Sequence, residues 1–549
     1  KNALLKDESF FEGRRALGEA YILSGDGNSA AKELRLANRL RSNDTDVAIS
    51  LVRAKLLQNQ YEAIPDLIKK LGIPEEDTTA QILAAKAEIG LMKLEPARAK
   101  LLDLLKQSPE SIEAYQALAT IAWRRRDYAE TEKWVTNALE IDPKNGESWL
   151  LLGEVQLVRN NYPAAVASFE KCLELEKFAK SATSIGAHAG AAKALLAENK
   201  HSEAQRHISA LGRINLRNPL YNYLGAVAAT QEGDNETAKT KLLSVLEVVE
   251  NHYPSLLLLA RIEYGDGNYN QAEQQLLRYL KVNANGLLGT KLLSAVYIKQ
   301  NKPAEAIALL RPAASRFPDD LQLAVMLGSA STLTGNNSEG TRYLEIASRL
   351  APDDSAIRAQ LAFGYLTGGG TDRAMSELEH SLKLDPDFAA AEQLLIIAQI
   401  KQGDTEKAID TASKLAQKQP ENPVPLNLIA TAHLKKGDRD SAREYFAKAL
   451  GVSPDFFPAK LNLAQMELDD GNIAVAKKYY EEILAINPNH SDALMKMASV
   501  LNRSGRPGDV LQYWERARQA NPTAFLPRLT LAVNYTNLGR PDLALAPAS

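Results

Sequence analysis

The sequence predicts an all-α solenoid of about sixteen antiparallel helix pairs. Three observations predict it. Proline recurs every 34 residues at Pro318, Pro352, Pro386, Pro420, Pro454, Pro488 and Pro522, and Pro109 and Pro143 share the interval. A small residue recurs 12 positions before each of the seven: Ala306, Gly340, Ala374, Ala408, Ala442, Ala476 and, as the one bulkier member, Val510. Glycine or asparagine recurs between this slot and a second small slot 12 residues further upstream.

Each element has a physical reason. Proline lacks an N–H and restricts the residue before it, so evenly spaced prolines mark evenly spaced helix ends. Extending the frame upstream reaches Ala272, Ala238 and Ala204, and downstream Ala544. An earlier series holds Ala63, Ala97, Thr131 and Ala165, with Ala30 one residue out of phase. The other slot holds Gly18, Ala85, Ala119, Gly153, Ala192, Ala226, Ala260, Ser294, Gly328, Ala362, Ala430, Ala464, Ala498 and Ala532, broken by Leu51 and Ile396. Small residues at both slots let two helices approach closely, and a bulky side chain there should cost about 1–3 kcal/mol. The turn position is Gly25, Gly233, Gly267, Gly335, Gly369, Gly403, Gly437, Gly471, Gly505 and Gly539, with Asn160, Asn199 and Asn301 at three others. Both residue types tolerate a positive φ after a helix, and Gly437→Ala should cost about 1 kcal/mol where φ is positive. One pair cannot bury both its faces, so neighbours must stack.

The frame slips once. From Ala165 to Ala204 the interval is 39, so five extra residues lie near 178–190. The expected organisation is the end of an upstream repeat at 1–8, N-terminal units over 9–177, a longer unit and bend at 178–190, and a regular array over 191–549 that stops within a helix. Both ends read as cut.

Composition is that of a polar-surfaced helical chain, 45% hydrophobic with only 6% aromatic residues. A net charge of −3 gives no field to attract a nucleic-acid backbone or an anionic membrane. The arginine run Arg124–Arg126 reads as a solvated helix end. The single cysteine, Cys172, forms no internal disulfide and reads as a core thiol. No apolar run is long enough to cross a membrane, and the opening residues do not read as a signal peptide.

Catalytic patterns fail on context. Gly25-Asp26-Gly27-Asn28-Ser29-Ala30 fits a dinucleotide fingerprint, but a helix rather than a strand precedes it. Gly335 and Gly340 have phosphate-loop spacing, with Thr341 where lysine is required. His201 and His207 are six apart, which does not place them on one helix face. No catalytic residue, metal ligand or cofactor is expected, and the chain reads as a binding protein rather than an enzyme.

Trp149, Leu152, Gly153, Ala165, Phe169 and Pro143 give the fullest version of the repeat, and it resembles the tetratricopeptide repeat. The resemblance covers essentially the whole chain. It implies a right-handed superhelix whose concave groove is lined mostly by the first helix of each pair. By that alignment the candidate groove residues are Trp123, Tyr223, Val227, Arg261, Tyr264, Lys291, Lys299, Gln393, Asn427, Lys435 and Gln465. Trp123 either stacks on a ligand or packs between helices. The lysine–asparagine clamp for C-terminal carboxylates is absent, since Ala295 follows Lys291.

The stretches 17–21, 25–34, 218–226, 253–260 and 267–280 are similar to the large repeat lipoprotein of bacterial exosortase/PEP-CTERM systems. That resemblance implies a lipid-anchored protein on the periplasmic side of the outer membrane, with a cytoplasmic location as the alternative. Its implied partners are proteins of exopolysaccharide assembly or protein sorting, and no nucleic acid. Two other roles stay open: direct capture of polysaccharide, and a non-catalytic arm of a larger glycosyltransferase or export porin.

Overall fold

A computed structural model describes residues 9–176, 181–503, 507–521, 525–537, 540 and 542–544. The segment 1–8, residues 178–180 of the expected bend, and the turn glycines Gly505 and Gly539 lie outside the described residues. Among the described residues every regular element is helical. Fifteen helix pairs are followed by the first helix of a sixteenth, Phe525–Asn537.

One unit shows how the sequence builds them all. Asp320 caps the first helix, Leu321–Leu333, accepting the Leu323 N–H at 2.9 Å. Gly335 turns the chain at φ +80°. Asn336 caps the second helix, Asn337–Leu350, accepting the Glu339 N–H at 3.3 Å. Pro352 then follows the helix end, and Asp354 caps the next first helix, Ser355–Thr367. Caps of this kind satisfy N–H groups that have no partner within the helix.

The turn position carries a positive φ wherever it is described. It runs from +75° at Gly25 to +96° at Gly403, with +91° at Gly437. Asn59, Met92, Arg126, Asn160, Asn199 and Asn301 take φ of 58–61° at the equivalent place. A helix precedes Gly25, which is such a turn, so the fingerprint reading fails structurally as well.

The slots are where helices meet. A methyl group at Gly18 would lie 2.5 Å from Leu34, and one at Gly328 would lie 2.7 Å from Leu344. Phe169 is fully buried between Gly153 and Gly190, whose added methyl groups would sit 2.6 and 2.3 Å from its ring. Cys172 joins the same core, where burial pushes its thiol up to about 12.

Two details differ from the expectation. Ala63 does not fill a slot; it lies exposed in a 3-10 turn, and Ile64, fully buried, takes the place 34 residues after Ala30. Val52, also fully buried, is its partner, so this pair packs two bulky residues where others pack small ones. Pro312, which is outside the 34-residue series, lies inside the helix Pro303–Arg316. The five extra residues resolve in part: the helix Ala182–Ala197 has 16 residues where a typical first helix has 13, and the added turn is at its start.

The chain divides into two compact units, residues 1–289 and 290–549. Within each, the substantial contacts between alternate helices join one first helix to the next first helix. First helices therefore line the inner side of each unit, as expected. Among the described residues no helix is long and apolar enough to cross a membrane.

Candidate binding surface

Helical periodicity decides which first-helix residues face inward. Taking the small slot of each first helix as origin, the residues three before, one after, and four and five after it share that face. All the expected groove residues occupy these registers, but they do not form one pocket.

Several are committed to the protein's own structure. Trp123 is half-buried and meets the Tyr128 ring edge-on at 5.6 Å, across the turn of its own pair. Tyr264 makes the equivalent contact with Tyr269 at 5.7 Å. Both rings pack across the turn of their own pair. Lys291 Nζ binds Asp320 Oδ2 at 2.7 Å, with both side chains largely buried. Gln465 accepts from Lys496 at 3.0 Å and donates to Asp469 at 2.9 Å. Asn427 accepts from Asn462 at 3.4 Å. Tyr223 packs edge-on to His252 at 5.2 Å, while Gln393 is half-buried. Arg261, Lys299 and Lys435 are exposed or half-exposed.

The register five after the slot has a recurring task that the sequence analysis missed. Arg124 donates to the Ile89 carbonyl at 3.0 Å, Gln231 to Leu196 at 3.2 Å, and Lys401 to Leu366 at 3.1 Å. Each reaches back to the end of the preceding first helix, as a further donor to a carbonyl that already accepts a backbone N–H from the turn after it. The arginine run also separates into three roles. Arg124 makes this brace, Arg125 pairs with Glu95 at 3.4 Å, and Arg126 supplies the left-handed turn.

The register one after the slot forms the centre of the inner face. In residues 290–549 it reads Ala295, Ser329, Phe363, Ile397, Thr431, Gln465, Ser499 and Val533, with no charge. A cavity of about 390 Å³ opens there, walled by Leu333, Phe363, Phe388 and Leu394 and edged by Ser329 and Gln360. Leu333 is 67% exposed and Phe363 44%. The sequence signal was an aromatic at a groove register, and none of the expected groove residues lies in this cavity.

In residues 1–289 the same register reads Glu19, Arg53, Lys86, Thr120, Glu154, Lys193, Val227 and Arg261. Arg53 and Lys86 share Glu113, at 2.7 and 3.6 Å. Burial holds the Glu154 carboxyl above its usual range, partly opposed by Lys193.

Away from the inner face, His188 and His207 meet through their Nδ1 atoms at 3.1 Å beside a cavity of about 950 Å³. His207 therefore partners His188, not His201, and spatial pairing of this kind has no signature in spacing. Burial, with His188 and Arg206 adding to it, pushes His207 down to about 4. Among the described residues no cluster of three or more His, Cys, Asp or Glu side chains stands ready to hold a metal.

Comparison with known proteins adds a family to this frame. Tetratricopeptide-repeat family models match residues 117–181, 366–431, 427–491 and 461–525. Cellulose synthase 1 operon protein C of Komagataeibacter xylinus is 23% identical over 265 residues, which is 47% of this chain and 18% of that protein. The chain thus matches under a fifth of that relative's length. Among solved structures, the APC/C hetero-tetramer Cut9–Hcn1 aligns over 96% of each chain at 14% identity, with a TM-score of 0.33. A thermophilic TPR protein of Thermus thermophilus aligns over 33% of this chain and 99% of its own at 19% identity, with a TM-score of 0.30. From the matched stretches, and from the slots and left-handed turns that recur through both units, the chain carries tetratricopeptide repeats.

Proposed function

We propose that this chain is a non-catalytic scaffold that holds protein segments on its inner helix face, in support of exopolysaccharide assembly or export at the bacterial cell envelope. One observation carries the reading: the uncharged inner register of residues 290–549, with Leu333 and Phe363 exposed around an apolar cavity edged by Ser329 and Gln360. An apolar side chain would enter the cavity, and the edging hydroxyl and amide would bond the backbone beside it. The exopolysaccharide context is supported by the name of the cellulose synthase operon relative. A part in protein sorting, a periplasmic location and a lipid anchor on a longer parent chain belong to the same proposal.

The test is affinity capture from a detergent-solubilised envelope extract, comparing the unaltered chain with a Phe363→Asp variant. Polysaccharide-assembly proteins captured by the first and lost by the second would support the scaffold reading. Capture of polymer that survives protease treatment would replace it with direct polysaccharide binding.

A further inference from the structure

The two inner registers differ in charge, and in residues 1–289 three consecutive first helices carry two bases at this register with no acid among them. These are Ala182–Ala197, Pro219–Gln231 and Tyr253–Gly265. Their central register reads Lys193, Val227 and Arg261. The register three before the slot reads Ala189, Tyr223 and Leu257, and the register five after it reads Ala197, Gln231 and Gly265. This stretch of inner face therefore holds two bases and no acid, in a chain whose net charge is −3.

These bases stand apart from the others of their row. Arg53 and Lys86 share Glu113 as an ion-pair partner. Lys193 and Arg261 are both exposed, and neither has an ion-pair partner within 4 Å among the described residues. The nearest acid in the row is Glu154, one helix before Lys193, whose charge acts on it without closing a pair. Between the two bases the wall is apolar. Val227 is half-buried, and the Tyr223 ring is held against His252, with its hydroxyl under the influence of Arg261.

We propose that this face binds an extended acidic polypeptide segment, with one carboxylate at Lys193, another at Arg261 and Tyr223, and an apolar side chain over Val227 between them. The proposal rests on the reading that the inner face receives polypeptide. Packed helices lie about 10 Å apart, so two steps separate the bases by about 20 Å. An extended chain advances about 3.3 Å per residue, so the two carboxylates stand about six residues apart. A sugar chain fits less well, because sugars stack on ring faces and the Tyr223 ring is half-buried against His252.

The probe is a rhodamine-labelled synthetic peptide with two glutamates six residues apart and a leucine midway, read by fluorescence polarisation with the full chain. Lys193→Glu and Arg261→Glu should each weaken binding about tenfold, and added salt should weaken it further. Lys193→Gln serves as a second variant that adds no repulsion towards Glu154, and circular dichroism checks that each variant folds. Equal binding of a peptide with glutamines at both places, or undiminished binding by the charge variants, would overturn the proposal. Polygalacturonate bound through the same two bases, with no peptide binding, would overturn it in favour of an acidic polysaccharide. A neutral apolar peptide whose binding depends on Phe363, measured in parallel, keeps the two failures distinct. Its retention beside a failed acidic peptide would sink this inference alone, and loss of both would sink the groove reading.

Discussion

Arg53 and Glu113 join first helices two repeats apart, Nη2 to Oε1 at 2.7 Å, passing over the first helix that lies between them. Sixty residues separate them in sequence. Lys86, on the intervening helix Thr78–Gly90, approaches the other oxygen of the same carboxylate at 3.6 Å. The three charges form a clasp on the inner side of residues 1–289. Both members of the shorter pair are about a third exposed or more, so each bond is a modest one. Glu113→Gln should cost about 0.5–1 kcal/mol in urea unfolding, more than Arg53→Gln, because it leaves two bases unpaired. A double-mutant cycle with no coupling between Arg53 and Glu113 would contradict the clasp.

Phe169 packs between Gly153 and Gly190, so both glycines are required by space rather than by backbone freedom. Gly190→Ala should destabilise by about 1–3 kcal/mol, since the ring has nowhere to move. Combining it with Phe169→Leu should recover part of the loss, although the smaller side chain leaves a partial void. Thermal unfolding of the two single variants and the double variant measures this, and strictly additive losses would refute the contact.

Tyr480 is fully buried, and its hydroxyl has no hydrogen-bond partner among the described residues. Burial pushes that hydroxyl up to about 12. Phe169 and Phe446 occupy the same repeat register with no polar atom. Tyr480→Phe should therefore leave stability unchanged or raise it by about 1 kcal/mol, because it removes an unsatisfied buried group. A loss of stability in this variant would reveal a partner for the hydroxyl.

His207 provides the pH dependence. Its folded pKa of about 4 lies below the ~6.5 of an unfolded histidine, so unfolding takes up a proton between those values. The stability that its neutral form confers is full above about pH 6.5 and is lost as pH falls towards 4. The unaltered chain should thus lose more of its melting temperature across this window than a His207→Gln variant does. Parallel melting curves from about pH 7 to about pH 4.5 would show the difference, and superimposable declines would remove the His188–His207 pair as its source.

The sequence by itself determined the repeat, and the reason is local. Proline, a turn residue free to take positive φ, and small residues at the crossings are required by backbone and contact geometry within each 34-residue unit. They could be read at Pro352, Gly437 and Gly328 without knowing what lies next to them. Gly190 was legible only as one of the extra residues, because its slot is set by the Phe169 ring of the preceding pair. Ala63 was misread for the same kind of reason: spacing alone cannot tell which of two adjacent residues is buried, and the 3-10 turn at Tyr61–Ala63 moves the position to Ile64. The inner face was legible as a set of registers, because helical periodicity places residues on a side. Which of them are free was decided by tertiary structure alone. Lys291 and Arg261 are both bases at inner registers, yet Lys291 is closed by Asp320 from the next repeat while Arg261 stands open. Partners that lie a whole repeat away leave no mark in local spacing, and they determine which charges and rings of a solenoid remain available to a ligand.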